Sequence, residues 1–147
     1  MHRATGETLT LTPEQTHRAV KLLKRIDDGD IRSPTDVVDS WHDPKTSINR
    51  DQKEGTYPRY EGFVSPDAIA GSVGLSNRLE DSRIKGVLVN MLEDNFELQN
   101  SAPPVLQKRK GRYYVTSDGH HRCMVARAIG LDELYAEYSE VPPELLE

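Results

Sequence analysis

The residues best suited to chemistry lie together as Asp118-Gly119-His120-His121-Arg122. They fall between a run that reads as a strand, Arg112-Tyr113-Tyr114-Val115-Thr116, and one that reads as a helix, from about His121 to Ile129. A glycine at such a junction lets the backbone turn tightly and approach a ligand closely. The N–H groups of a helix start, here about His121 to Cys123, point outward with the positive end of the helix dipole behind them. Arg122 adds a planar fork that suits phosphate oxygens, and either histidine can donate a further hydrogen bond. Asp118 is able to hold a hydrated magnesium ion or to accept a proton from an attacking hydroxyl. Together these residues predict an anion site. A plainer reading stands beside it, with Asp118 as a helix cap, Gly119 as a turn and Arg122 as a surface cation. Structural zinc is poorly served, because neighbouring histidines on a helix point in different directions and no second ligand cluster exists.

Several elements must position this string. Thr12-Pro13-Glu14-Gln15 has the form of a capping box with proline at the first helical position. Ala19, Val20, Leu22, Leu23 and Ile26 follow at helical spacing, Arg18, Lys21, Lys24 and Arg25 supply a wet face, and Asp27-Asp28-Gly29-Asp30 ends the run. A second short helix is expected from Ser33-Pro34 towards Trp41. His42 to Gly62 reads as a long loop, and Ser65-Pro66-Asp67 as the cap of a short helix around Ala68 to Val73. Ile84, Val87, Leu88, Met91 and Leu92 mark one face of a helix that Glu80-Asp81-Ser82 introduces. Val105-Leu106-Gln107 reads as a strand, Lys108 to Gly111 as a hairpin turn, Gly130 as a helix C-cap and Leu134 to Val141 as a final edge strand. The expected class is α+β, a small mixed sheet flanked by helices, with residues 1–62 as an N-terminal helical extension and loop and residues 63–147 as the main domain.

Length and composition bound the possibilities. The 147 residues, 35% hydrophobic and 29% charged, make one ordinary domain. The single cysteine, Cys123, excludes an intramolecular disulfide and suits a reducing compartment. No apolar run approaches the roughly 18 residues of a membrane span. Met1 to Gly6 lacks the apolar core of a signal peptide, so a cytoplasmic location with no membrane partner is expected. The formal charge of −5 disfavours a domain living on wholesale phosphate contacts. A local basic patch remains at Lys108, Arg109, Lys110 and Arg112, beside Tyr113 and Tyr114. It suits a nucleic-acid backbone or plain solvated surface. Trp41, Tyr57 and Tyr60 suit stacking on a base or anchoring of a loop.

Pro103-Pro104-Val105, Gly111-Arg112-Tyr113-Tyr114-Val115, Asp118-Gly119-His120-His121-Arg122, Ala126, Ala128 and Gly130-Leu131 resemble the ParB/sulfiredoxin superfamily over roughly residues 63–141. Asn77-Arg78 falls where such domains often carry an Asn-Pro-Arg segment. Sulfiredoxin needs a cysteine where His120 stands, so sulfinic-acid reduction is not expected. ParB partition proteins continue into a DNA-reading helix-turn-helix; with six residues after Val141, none is expected here. The loop is most similar to the free-serine-kinase branch and to the small ParB-like proteins called nucleases in phages and plasmids.

The kinase-like resemblance implies Mg2+ and a nucleoside di- or triphosphate. Gly119, His120, His121, Arg122 and Arg78 would bind the phosphates, Asp118 would act in catalysis or on the magnesium, and His120 and Glu80 would join the catalytic set. Asp81 is a neighbour able to replace Glu80; equally, both acidic residues suit the helix dipole alone. The leading expectation is thus nucleotide-dependent phosphoryl transfer or hydrolysis. The others are a DNA-associated nuclease or binding module using Lys108, Arg109, Lys110 and Arg112, and a non-catalytic protein-interaction module. A homodimer is compatible with each.

Overall fold

The computed structural model describes residues 11–44, 58–73, 79–92 and 103–142, apart from the side chains of Asp81, Ser117 and Asp118. Thr12 opens helix α1 (Pro13–Asp27). Its hydroxyl accepts the Gln15 amide at 3.1 Å, and Gln15 Oε1 accepts the Thr12 amide at 3.0 Å. This reciprocal cap satisfies two donors that have no partner inside the helix. Gln15 does more: its Nε2 donates to the Gly130 carbonyl at 2.9 Å. One side chain thereby ties the start of α1 to the far end of the last described helix, at Gly130. Ala19, Leu22 and Ile26 are buried, while Arg18, Lys21, Lys24 and Arg25 face solvent, as the period requires. Helix α2 (Pro34–Val37) is a single turn. The Asp36 carboxylate accepts the Arg32 and Ser33 amides at 2.9 and 3.1 Å, and these two donors hold its pKa below the ordinary value.

Five strands form one mixed sheet: β1 (Arg59–Val64), β2 (Ile69–Ser72), β3 (Val105–Arg109), β4 (Arg112–Asp118) and β5 (Leu134–Glu140). Their order is β1-β5-β3-β4-β2. The β1–β5 and β3–β4 pairs are antiparallel, and β3–β5 and β2–β4 are parallel. Helices α3 (Asp81–Leu92) and α4 (His120–Ile129) pack against each other and against α1. The core joins Ile84, Leu88 and Met91 of α3 and Met124, Val125 and Ile129 of α4 with Leu106, Val115, Leu134 and Ala136 of the sheet. Each of these side chains larger than alanine contributes about 1.5–3 kcal/mol relative to exposure. The described residues thus make an α+β fold, with no helix long and apolar enough to cross a membrane.

Three expectations are corrected. The end of the expected loop, from Arg59, is strand β1, whose Gly62 and Val64 pair with Ala136 and Leu134 of β5. The expected helix around Ala68 to Val73 is a 3-10 turn at Pro66–Ala68 followed by β2. Backbone pairing on both sides decides this. His42 N–H bonds to the Ala70 carbonyl at 3.3 Å, Ser72 N–H bonds to the His42 carbonyl at 3.0 Å, and β4 lies on the other flank. Gly71 permits that approach, since a Cβ there would fall onto the His42 carbonyl. Strand β5 is no edge: it lies between β1 and β3. Leu134 and Ala136 face the core, while Tyr135 and Glu137 alternate to the other face.

Candidate functional site

Strand β4 delivers the polar loop and α4 receives it. Gly119 joins them with φ +92°, and a Cβ on it would stand 2.5 Å from Pro104 Cβ. Both the sign of φ and the closeness of Pro104 demand glycine. The first bond inside α4 runs from Cys123 N–H to the Gly119 carbonyl at 2.9 Å. The amides of His120, His121 and Arg122 therefore precede the helical ladder, and Gly119 has no side chain to cap them. Gly119 to Arg122 form one wall of a cleft of about 460 Å³, and Ser82, Arg83, Gly86, Val87 and Asn90 of α3 form the other.

The histidines are held differently. His121 Nε2 accepts the Glu80 backbone N–H at 3.2 Å. An amide only donates, so the neutral ring carries its proton on Nδ1. Burial first, then the Arg83 and His120 charges, pull His121 below its ordinary pKa, while the Glu80 carboxylate opposes them. Glu80 also opens α3: its carbonyl accepts the Arg83 and Ile84 amides at 3.0 and 3.1 Å, and its carboxylate pairs with Arg83 Nε at 2.9 Å. His120 Nδ1 lies 2.9 Å from the hydroxyl of Ser72, which is buried at the end of β2 and accepts the Trp41 indole N–H at 3.0 Å. Cys123, one residue beyond Arg122, is fully buried, and burial pushes its thiol up to about 12. It is no nucleophile at neutral pH.

No family model, curated protein or solved structure matches the chain. The geometry alone speaks for the site.

Of the residues singled out in the sequence, Gly119, His120, His121 and Arg122 come together at the cleft, and Glu80 lies against His121. Arg78 lies outside the described residues, as does Tyr57. Asp118 ends β4 opposite Val105; its side chain is outside the described set. The basic hairpin divides. Lys108 Nζ sits 5.6 Å from the centre of the Tyr113 ring. Arg109 is buried at 6% exposure and donates through Nε to Gln107 Oε1 at 2.8 Å. Lys110 and Arg112 are exposed. Trp41 is buried as a core anchor, and Tyr60 stacks at the sheet edge on Tyr138.

The α3 wall was not foreseen. Its signal lies in Ser82, Gly86 and Asn90, a small and polar stripe at intervals of one helical turn opposite the apolar one. Ser72 and Trp41 carry no local signal, because they meet His120 only through tertiary pairing. Chemically the cleft gathers donors and positive charge: helix amides, two arginines and two imidazoles. Among the described residues no group of three or more His, Cys, Asp or Glu is placed to hold a metal ion.

Proposed function

We propose that the α3–α4 cleft binds the phosphates of a nucleoside di- or triphosphate with Mg2+. On this reading the chain is a ParB/sulfiredoxin-like protein that carries out phosphoryl transfer or hydrolysis there. One observation carries the reading: the first turn of α4, opened by Gly119 and carrying Arg122, shares a cleft with Arg83 of α3. Its volume of about 460 Å³ falls within the roughly 300–1,000 Å³ of small-molecule sites.

Phosphoryl transfer asks a protein mainly for positioning and charge neutralisation. The amides of His120 to Arg122 and the guanidinium of Arg122 bind phosphate oxygens in this scheme, and the neutral His121 keeps one N–H to donate. Glu80, fixed beside His121 through its backbone, orients the acceptor hydroxyl or a water. Asp118, at the strand end before the loop, supplies the second carboxylate. Magnesium usually takes one or two carboxylates together with the phosphates it accompanies. Acidic residues at positions 80 and 118 suit that mode. The ion would neutralise charge on the transferred group.

Calorimetry with ATP, ADP and CTP, each with and without Mg2+, tests the reading. Micromolar binding is expected. A charge-assisted bond contributes about 1.5–3 kcal/mol, so Arg122→Ala should weaken it about 10- to 100-fold while the circular dichroism spectrum is unchanged. A folded wild type that takes up none of the three overturns the proposal. The nucleic-acid reading then comes forward through the exposed Lys110 and Arg112, predicting salt-sensitive DNA binding. With Arg109 buried, that surface has less charge than the sequence implied.

A further inference from the structure

We infer that Ser72, held by Trp41, is a positioning residue that fixes the tautomer of His120 and makes Nε2 the proton-bearing atom of that ring. The inference rests on the cleft being a phosphate site, where a histidine N–H is useful only if the ring keeps it on one known atom.

The single hydrogen of the Ser72 hydroxyl decides the tautomer. An indole N–H can only donate, so the 3.0 Å bond from Trp41 Nε1 uses a lone pair of Ser72 Oγ and leaves the hydroxyl hydrogen to find an acceptor. Ser72 is 1% exposed, which removes solvent as that acceptor. The other hydrogen-bond partner of Oγ among the described residues is His120 Nδ1 at 2.9 Å. Buried hydroxyls are almost always satisfied, so Ser72 donates to Nδ1. A neutral imidazole that accepts at Nδ1 carries its proton on Nε2.

The neighbouring ring is fixed the other way. His121 accepts at Nε2 from the Glu80 amide and keeps its proton on Nδ1. Two adjacent histidines at the start of α4, both lining the cleft, are thus set in opposite tautomers by partners from different elements. Each neutral ring carries one N–H and no negative charge. The relay through Trp41 and Ser72 spans chain separations of 31 and 48 residues, so it forms only when β2 is in place beside α4.

Nitrogen-15 NMR of histidine-labelled protein at about pH 8, above the ordinary histidine range, reads each tautomer directly in the ligand-free state. Wild type should show His120 with a protonated Nε2 and a bare Nδ1, and His121 with the reverse. Ser72→Ala removes the donor to Nδ1, and Trp41→Phe frees the hydroxyl to accept instead; in both, His120 should become a mixture. Affinity for magnesium pyrophosphate should fall about fivefold in Ser72→Ala, the effect of one lost or misplaced hydrogen bond. The same substitution should have no further effect once His120→Ala is present. A protonated Nδ1 on wild-type His120, or an unchanged ring in both variants, overturns the inference, and the wild-type measurement needs no variant to fold. A protein with the expected tautomers that binds no pyrophosphate supports the hydrogen-bond relay and overturns the phosphate-site reading, so the two failures are distinguished.

Discussion

Gly119→Ala would force an L side chain to φ +92° and bring its Cβ to 2.5 Å from Pro104 Cβ. The left-handed backbone alone costs about 1–2 kcal/mol. The Pro104 contact adds to that, because proline is rigid and buried. Urea unfolding of Gly119→Ala should therefore show an unfolding free energy lowered by at least the backbone cost; an unchanged value would mean that the chain turns differently here. His121 makes a second prediction, on pH. Its folded pKa lies below the ordinary 6.5, chiefly through burial. The unfolded chain then takes up the proton more readily than the folded one, so stability is full above about 6.5 and declines as pH falls towards the folded value. His121→Gln should flatten that decline, as measured by unfolding free energy between about pH 7.5 and 5. The Asp36 carboxyl, held low by two amides, acts only at more acid pH, so its contribution does not confuse the window. At this scale the site was half legible. Asp-Gly-His-His-Arg announces a glycine turn and a helix start from adjacent letters, but no local pattern reveals that Ser72 and Glu80 decide which nitrogen of each histidine holds the proton.

Helix α3 has a glycine in its middle where helix propensity argues against one. A Cβ on Gly86 would meet nothing within 4 Å, and the residue lines the cleft. Gly86→Ala should accordingly stabilise the protein by about 0.5–1 kcal/mol, the usual gain for removing a mid-helix glycine. Gly86→Phe projects into the same open space and should abolish polyphosphate binding while the fold persists; calorimetry alongside thermal melting separates the two effects. If Gly86→Phe binds as wild type does, the ligand does not use this cleft. The helices were readable because their buried faces recur with a 3.6-residue period and because capping boxes and glycine C-caps punctuate them. Strand β2 was not. Ile69-Ala70-Gly71-Ser72 is buried at every position, so no alternation appears, and alanine, glycine and serine are poor strand formers. Its conformation comes from His42 on one side and β4 on the other, partners that local propensity cannot supply. Strand β5 shows clear alternation, yet nothing within it tells that β1, far earlier in the chain, covers its outer edge.

Across the whole molecule, the two helices that form the cleft are also the two on which α1 rests. Leu22 is the centre of that contact face, with Ala19 and Ile26 one turn to either side, and it is 6% exposed. Leu22→Ala leaves a cavity and should cost about 3 kcal/mol, within the usual range for a buried leucine. A domain of this size has about 5–15 kcal/mol to lose, so the variant stays folded. Ligand linkage then tells whether α1 shapes the cleft or only supports it. A ligand at about 100 times its Kd adds about 2.7 kcal/mol to a protein that binds it only when folded. Leu22 lies on the core side of α1, and Ser82, Arg83, Gly86 and Asn90 of the cleft are exposed on α3, so the cavity should leave the phosphate contacts intact. Magnesium pyrophosphate should therefore stabilise Leu22→Ala and wild type by the same increment in parallel urea titrations. A smaller increment in the variant would show that α1 sets the spacing between α3 and α4, making the amphipathic N-terminal helix part of the binding apparatus.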